Sequence, residues 1–150
     1  MDRIDCALLA LLQEDSRQTA DKLGEELGLS RSAVTRRIQN LMQKGVIEKE
    51  VAILSDGFRQ RRVTAIVNVQ LDRHHPQDAD QFRRAIRSQP EVQLAVAITG
   101  ASDMLLLVSV RDMDHFNIFT DKLASMPIVR RYETSFVKRT LKFTTAVPLD

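Results

Sequence analysis

The residues between positions 31 and 44 carry hydrogen-bonding side chains at helical spacing. Val34, Ile38 and Leu41 recur as one apolar helical face. The opposite face then carries Ser32, Thr35, Arg36, Gln39 and Gln43. Arginine can donate two hydrogen bonds to guanine, glutamine can pair with adenine, and hydroxyls can bond to bases or phosphates. Since this face holds no acid, the pattern predicts a surface that reads base edges in the major groove of DNA.

Cations flank this face. The net charge of the chain is only +2, but residues 1–29 carry three basic against seven acidic residues, whereas residues 30–49 carry five basic against one acidic. Such a local basic surface suits a polyanionic partner. We predict phosphate contacts, which set position and affinity rather than sequence choice, for Arg31, Arg37 and Lys44, with Lys49 nearby. The alternative interpretation is an ordinary solvated helix.

Three predicted helices position these residues. Residues 2–13 have an amphipathic helical pattern, Thr19 can cap a second helix, and Ser30 can cap a third. Gly28 suits the left-handed end of the second helix, and Gly45 the end of the third. This order predicts a compact all-helical domain, followed at Val46–Leu54 by a short exposed ribbon.

The corner between the second and third helices has the spacing of a helix-turn-helix. Gly24 supplies a small residue where the helices touch, and Gly28 supplies positive φ at the turn. Leu29 and Val34 supply the apolar contacts. In this motif the second helix enters the major groove, which is where the polar face described above is needed.

Beyond this region the pattern changes from helical to alternating. We predict a DNA-binding domain over residues 1–54, a linker without regular structure over 55–62, and a second domain over 63–150. The second domain shows the order β-α-β-β-α-β, typical of a ferredoxin-like sheet with two helices on one face. The fold class is therefore α+β, a winged-helix-like helix-turn-helix domain followed by a ferredoxin-like domain.

The sheet face without helices predicts self-association. It would expose Val67, Val69, Ile98, Leu106 or their neighbours, depending on register, and an apolar face of this kind is an association surface. A single helix-turn-helix also gains DNA contacts by pairing about a two-fold axis. The alternative is that the linker and the C-terminal residues cover this face within one chain.

A glycine-containing turn in the second domain has the groups needed to bind an amino acid. It contributes backbone amides, two hydroxyls and one acid, from Thr99, Gly100, Ala101, Ser102 and Asp103. Amides can bind a carboxylate and the acid can bind an ammonium group. Most turns of this composition are only turns, so the residues alone give a weak signal.

Composition excludes several other classes. At 150 residues with one cysteine, the chain has neither an internal disulfide framework nor a thiolate metal site. The longest purely apolar run, Ala7–Leu12, is far below the ~20 residues of a membrane helix, and the first residues do not resemble a signal peptide. We expect a cytoplasmic protein without a membrane partner. His74, His75 and His115 lack metal-ligand spacing, so we expect neither a metal nor a cofactor.

The chain resembles the leucine-responsive/asparagine-regulator family, Lrp/AsnC, over nearly its whole length. The matching residues are Asp2-Arg3-Ile4-Asp5, Leu8, Leu11, Leu12, Leu23 to Ser30, Arg37, Leu41 and Gly45-Val46-Ile47. The resemblance implies a homo-oligomeric transcription regulator, a dimer that assembles into a tetramer or octamer. It also implies that the second domain oligomerises and senses a small molecule, usually an amino acid. The ending Lys142 to Leu149 further resembles a subgroup that includes a cysteine-responsive regulator.

The resemblance also implies an effector site. In the family the effector lies at the equivalent Gly-x-x-Asp turn, between dimers, with help from the last strand. Gly100, Asp103 and Thr134 match that pattern, and Thr99, Ala101 and Ser102 are added by proximity. Many relatives have aromatic residues near positions 102 and 104, where this chain has Ser102 and Met104, which leaves the size and identity of the ligand open.

The sequence therefore predicts a regulator that binds double-stranded DNA and responds to an amino acid or related metabolite. One alternative is an enzyme, since some relatives with this two-domain plan decarboxylate a tetrapyrrole and fold alone does not fix function. No nucleophile, base and acid group together in this sequence, so we expect no catalytic residues. The other alternative, a metabolite sensor without DNA binding, fits the basic segment poorly.

Overall fold

A computed structural model describes residues 1–72 and 76–149 as two compact units. The first unit combines residues 1–53 with residues 141–149, and the second unit covers Leu54–Thr140. The sequence predicts instead that residues 63–150 form one domain. The C-terminal residues differ from that prediction because they pack on the first unit, through contacts given below.

The first unit contains three helices, α1 (Arg3–Glu14), α2 (Ala20–Leu27) and α3 (Arg31–Gln43). Each begins at a side chain that accepts a hydrogen bond from an otherwise unpaired backbone N–H: Asp2 for α1, Thr19 for α2 and Ser30 for α3. Helix α2 ends at Gly28, which has φ of +66° and donates its N–H to the carbonyl of Gly24. The predicted starts of α2 and α3 and the predicted end of α2 are confirmed.

The corner between α2 and α3 is tight. A Cβ atom placed on Gly24 would lie 2.5 Å from the carbonyl oxygen of Leu29, which is too close for any side chain. The predicted need for a small residue at this point is confirmed. The core of the unit consists of Leu8, Leu9, Leu23, Val34 and Leu41, all buried.

Residues 141–149, here called the tail, form neither helix nor strand and pack on α1. The side-chain amide of Gln13 donates to the carbonyl of Val147 (3.1 Å) and accepts from the N–H of Val147 (2.8 Å). Leu149 packs against the core of the first unit. The tail is thus a fourth component of that unit, and neither strand nor helix periodicity signals it.

The segment between the helices and the sheet also differs from expectation. Residues 46–54, the predicted ribbon, form no strand in the described chain. The predicted linker contains a short helix, α4 (Asp56–Arg59), capped by Ser55, whose hydroxyl accepts from the N–H of Phe58. The segment predicted to be a linker without regular structure therefore contains one short, capped helix.

The second unit is a four-stranded antiparallel sheet with two helices. Its elements in chain order are β1 (Val63–Leu71), α5 (Pro76–Ser88), β2 (Val92–Ala97), β3 (Met104–Val110), α6 (Met113–Ala124) and β4 (Val129–Phe136). The strands lie in the sheet in the order β2-β3-β1-β4. Both helices contribute to one core, for example through Phe82 of α5 and Phe119 of α6. The predicted ferredoxin-like arrangement is confirmed.

Alternation along the strands decides which side chains face the helices. Val67, Val69 and Leu106 are fully buried on the helix side, so they are not on the open face. Their neighbours Ile66, Leu105 and Leu107 take the opposite face, where Leu107 pairs with Leu94 and Leu105 pairs with Val96. Leu94 and Val96 are exposed. We call Ile66, Leu94, Val96, Leu105 and Leu107 the open apolar face.

Two further expectations concern other parts of the chain. His74 and His75 lie outside the described residues, whereas His115 lies in the first turn of α6. Across the described ranges no helix has the length and apolar character needed to cross a bilayer.

Candidate nucleic-acid interface

The predicted base-reading positions of α3 lie on its exposed side. Val34 and Leu41 are buried and Ile38 packs against the same core, which turns the opposite side of the helix away from the unit. The exposed residues on that side are Ser32, Thr35, Arg36, Gln39 and Gln43. The structure therefore brings the five predicted side chains onto one solvent-facing surface, here called the α3 face.

The polar side chains of this face differ in whether they form hydrogen bonds within the protein. The Thr35 hydroxyl donates to the carbonyl of Arg31 (3.0 Å), and the Ser32 hydroxyl lies 3.2 Å from that of Ser30. Among residues 1–72 and 76–149, Arg36 has neither an ion-pair nor a hydrogen-bond partner for its guanidinium group. Arg36 is therefore the group on this face whose donors are most available to a ligand.

Arg37 points elsewhere. Its Nη1 atom donates to Oδ2 of Asp2 (2.9 Å) and to Oδ1 of Asp5 (2.6 Å). Asp2 and Asp5 also form the reciprocal cap at the start of α1. The backbone hydrogen bonds of that cap, together with Arg37, hold the pKa of both carboxyls below its usual value. Arg37 thus links helix α3 to the start of α1.

The remaining predicted cations are exposed. Arg31 lies 3.6 Å from Asp21, but both side chains are largely in solvent, so this pair contributes little to stability. Lys44 caps the C-terminal end of α3, where a positive charge interacts favourably with the helix dipole. Lys49 is also exposed. Arg31 and Lys44 thus place a positive charge at each end of α3.

The turn between β2 and β3 holds the predicted effector residues. The backbone N–H of Ile98 donates to the carbonyl of Asp103 (3.0 Å) and closes the turn, while Gly100 has φ of +126°, a conformation that side chains disfavour. The side-chain amide of Gln70 donates to the carbonyl of Ala101 (2.9 Å). Within the described chain the N–H groups of Thr99–Ser102 have no protein acceptor, so they are available to an anion.

Asp103 has a structural contact in this turn. Its Oδ2 atom accepts from the N–H of Leu71 (2.9 Å), beside the irregular pairing of β1 with β4 at Gln70/Leu71. The N–H of Asp103 donates to the carbonyl of Val69 (2.9 Å). The carboxylate therefore fixes the end of β1 whether or not it also binds a ligand.

Thr134 lies apart from the turn within one chain. Strand β1 separates β4 from β3, and Thr134 pairs with Val67, whereas Met104, next to Asp103, pairs with Val69. Thr134 also shares the helix-facing side of Val67 because directly paired residues point to the same side of a sheet. The structure of the single chain brings Thr99–Asp103 together but leaves Thr134 outside that group.

The sequence predicts no site role for three residues that contact predicted site residues, namely Asp2, Asp5 and Gln70. Asp2 and Asp5 show a local signal, since acidic residues three apart before an apolar run can form a reciprocal cap. Their shared partner Arg37 lies more than 30 positions away and has no such signal. Gln70 likewise contacts the turn from another strand.

Two family models match the chain. The model of the AsnC-type helix-turn-helix domain matches residues 1–42, and that of the Lrp/AsnC ligand binding domain matches residues 64–147. The chain is also 36% identical to an HTH-type transcriptional regulator, y4tD, of Sinorhizobium fredii, over 100% of this chain and 89% of that protein.

Solved structures show the same similarity. A transcriptional regulator from Neisseria meningitidis, solved as a complex with L-Met, has a TM-score of 0.92 and 33% identity over 100% of this chain and 97% of that one. An AsnC family regulator from Agrobacterium tumefaciens has a TM-score of 0.91 and 32% identity over 99% and 97% of the two chains.

Proposed function

Because the chain belongs to the Lrp/AsnC family of DNA-binding transcription regulators, we propose that it binds its operator through the α3 face and responds to an amino acid at the turn Thr99–Asp103. The α3 face carries the first part of this proposal. It is exposed, it holds no acid, and it presents an arginine without a described partner.

Arg36, Gln39 and Gln43 read base edges in this proposal, with Ser32 and Thr35 beside them. Arg31 and Lys44 contact phosphates, which position the protein without specifying sequence. Arg37 is assigned to holding α3 against α1, because both carboxylates of the α1 cap occupy one of its nitrogens. Its sequence-based assignment as a DNA contact stays a prediction.

The effector part of the proposal rests on the free amides of the turn and on the Asp103 carboxylate. An α-amino acid carries a carboxylate for the amides and an ammonium group for the acid. The L-Met complex of the Neisseria meningitidis regulator supports an amino-acid ligand. Since Thr134 is remote from the turn of its own chain, its contribution requires a second copy. An effector acts by binding two states of the assembly unequally.

The proposal includes a homodimer that assembles further, in the cytoplasm, with neither cofactor nor catalysis. The open apolar face is the observation that supports dimerisation. The regulators to which the chain is similar support a role in transcription over an enzymatic one.

The test of DNA reading is the variant Arg36→Ala. We expect it to weaken binding to the operator, first mapped by genome-wide binding and footprinting, by about 1–3 kcal/mol while leaving binding to random DNA nearly unchanged. The reason is that a base contact is lost only where the correct base is present. Fluorescence anisotropy with both duplexes measures this difference.

Lys44→Ala is the matched control because it removes one exposed cation from the C-terminal end of the same helix. It is expected to weaken binding to both duplexes and to reduce the salt dependence by about 0.9 in the log–log slope. Equal losses on both duplexes for Arg36→Ala would contradict base reading and assign Arg36 to a phosphate.

A further inference from the structure

A group of basic residues lies at one end of the β1–β4 pair. Ala65 pairs with Phe136, and the N–H of Val137 donates to the carbonyl of Thr64 (2.8 Å), so the two chain segments stay together to the end of the sheet. The residues just before β1 and just after β4 are Arg61, Arg62, Lys138 and Arg139. We call these four residues the basic sheet end.

All four side chains are exposed. Arg62 is anchored, since its Nε and Nη2 atoms donate to the hydroxyl and the carbonyl of Ser109, each at 3.2 Å. These acceptors are neutral, so the positive charge of Arg62 is not balanced by them. Arg61, Lys138 and Arg139 form no ion pair with any residue that the structure describes.

The acids near this group have other partners. Asp112 follows the end of β3 at the same side of the sheet, where Val110 pairs with Val63, and its carboxylate contacts Arg111 and His115. Asp56, the acid nearest in sequence before β1, is paired with Arg59. Glu91 approaches through its backbone, whose carbonyl accepts from the N–H of Ser109 (2.8 Å), and its Oε2 atom is buried. A polyanion that binds at this sheet end neutralises these exposed cations and releases its condensed counterions.

We propose that the basic sheet end is a second DNA contact, which binds backbone phosphates. This inference rests on the proposed function, because DNA is the polyanion already assigned to the chain. Flexible lysine and arginine side chains at the sheet end bind phosphate without selecting a base. The second contact therefore adds affinity on every sequence and leaves the choice of operator to the α3 face.

The test compares two double variants that each remove two exposed positive charges from the second unit. The test variant is Lys138→Ala/Arg139→Ala, and the control is Arg84→Ala/Arg87→Ala on α5, where both side chains are exposed. Dissociation constants are measured for the operator duplex and for a random duplex of equal length, over a series of KCl concentrations. Circular dichroism and light scattering check the fold and the assembly of each variant.

We expect the test variant to bind both duplexes about tenfold more weakly near 0.1 M KCl, with a log–log salt slope lower by about 2, since about 0.9 is lost per phosphate contact. The control is expected to stay within about twofold of the parent with an unchanged slope. Arg61→Ala provides a second measurement, with an expected slope change of about 1, that does not depend on the folding of the double variant.

Different results would contradict this inference and the proposed function. If the unaltered protein does not distinguish the operator from random DNA, the proposed function fails. If it does, and the test variant behaves like the control, the basic sheet end is not a DNA contact. A loss confined to the operator with an unchanged salt slope would also overturn the inference, because a phosphate contact must act on both duplexes.

Discussion

At the scale of single residues, Arg36 and Arg37 show how adjacent identical side chains take different roles. The helical period directs Arg36 to solvent, whereas Arg37, turned by about 100°, reaches the two carboxylates at the start of α1. Charge and motif spacing assign both to DNA. Only the packing of α3 on α1 shows that Arg36 is available to bind DNA, whereas Arg37 is bound to Asp2 and Asp5.

The link between Arg37 and the α1 cap predicts an acid-sensitive contribution to stability. Asp2 and Asp5 have a lowered pKa in the folded chain, so their contribution is full above the unfolded pKa, near 4, and is lost as pH falls through the lower folded values. We expect Arg37→Ala to lower the melting temperature at pH 7 and to have a smaller effect near pH 2. Thermal unfolding followed by circular dichroism across this range measures the difference.

The neighbouring variant Arg36→Ala serves as its control, because it removes the same charge from a side chain without a described partner. Its melting temperature is expected to follow that of the parent at every pH. A deficit of Arg37→Ala that is equally large at pH 2 and pH 7 would show that the side chain acts through packing alone.

Asp103 permits a separation of structural and ligand-binding roles. Asp103→Ala removes the acceptor of the Leu71 N–H and is expected to lower the free energy of unfolding of the second unit by about 1–3 kcal/mol. Asp103→Asn retains an oxygen acceptor but not the negative charge. We expect Asp103→Asn to stay near parental stability and to lose most of its affinity for L-Met, used as the probe, by calorimetry.

If Asp103→Asn binds L-Met as the parent does, the negative charge has no part in ligand binding. The carboxylate would then have a structural role at the end of β1 without a role in ligand binding. Apo DNA binding is expected to persist in this variant because the α3 face is unchanged.

At the scale of elements, local capping rules predict much more than tertiary pairing rules do. Thr19 and Ser30 cap the helices assigned to them from sequence, since each needs only to accept a hydrogen bond from an amide three residues away. The alternation of β1 and β3 separates the two faces of each strand but does not tell which face the helices cover. Val67, Val69 and Leu106, offered as candidates for the open face, are buried on the helix side. The tail is different: its partner Gln13 is 134 positions from Val147, and no local period reports such a pairing.

The same reason explains the partial success at the candidate site. The exposed side of α3 follows from Val34 and Leu41, which mark the buried side. The partners of Arg37 and of Asp103 depend on how α1 packs on α3 and on the end of β1, and these contacts are fixed by the whole fold. The short helix α4 lies in a segment whose apolar pattern is too brief to show a period.

The tail contact predicts that Gln13→Ala destabilises the first unit. Two hydrogen bonds to Val147 are lost, and since they are exposed we expect a loss of about 1 kcal/mol in total. Gln13→Glu keeps the acceptor for the Val147 N–H but removes the donor, so an intermediate value is expected. Urea unfolding of the full chain measures both, and a parental midpoint for Gln13→Ala would show that the tail does not stabilise α1.

At the scale of the whole molecule, the open apolar face predicts the oligomeric state. Leu107 lies near the middle of this face, paired with Leu94 on one side and Ile66 on the other. Leu107→Glu places a charge where a second copy would bury it, at a cost of several kcal/mol. We expect this variant to sediment as a smaller species than the parent and to bind the operator more weakly, because paired half-site binding is lost.

Ile118→Glu is the matched control. Ile118 lies on α6 and is exposed, so the same charge enters the same unit away from the sheet. It is expected to keep the parental mass and affinity. A parent that is itself monomeric, or a Leu107→Glu variant of unchanged mass, would contradict dimerisation through this face.

The return of the tail to α1 has a consequence for how the molecule is divided. In chain order the sheet unit is an insertion within the helical unit, since residues on both of its sides contribute to the same small core. A reporter fused behind residue 149 would consequently sit beside the recognition module. Excising the sensory module as residues 54–140 and rejoining its flanks, rather than truncating after residue 53, is the cut that leaves the recognition module with all its packing partners.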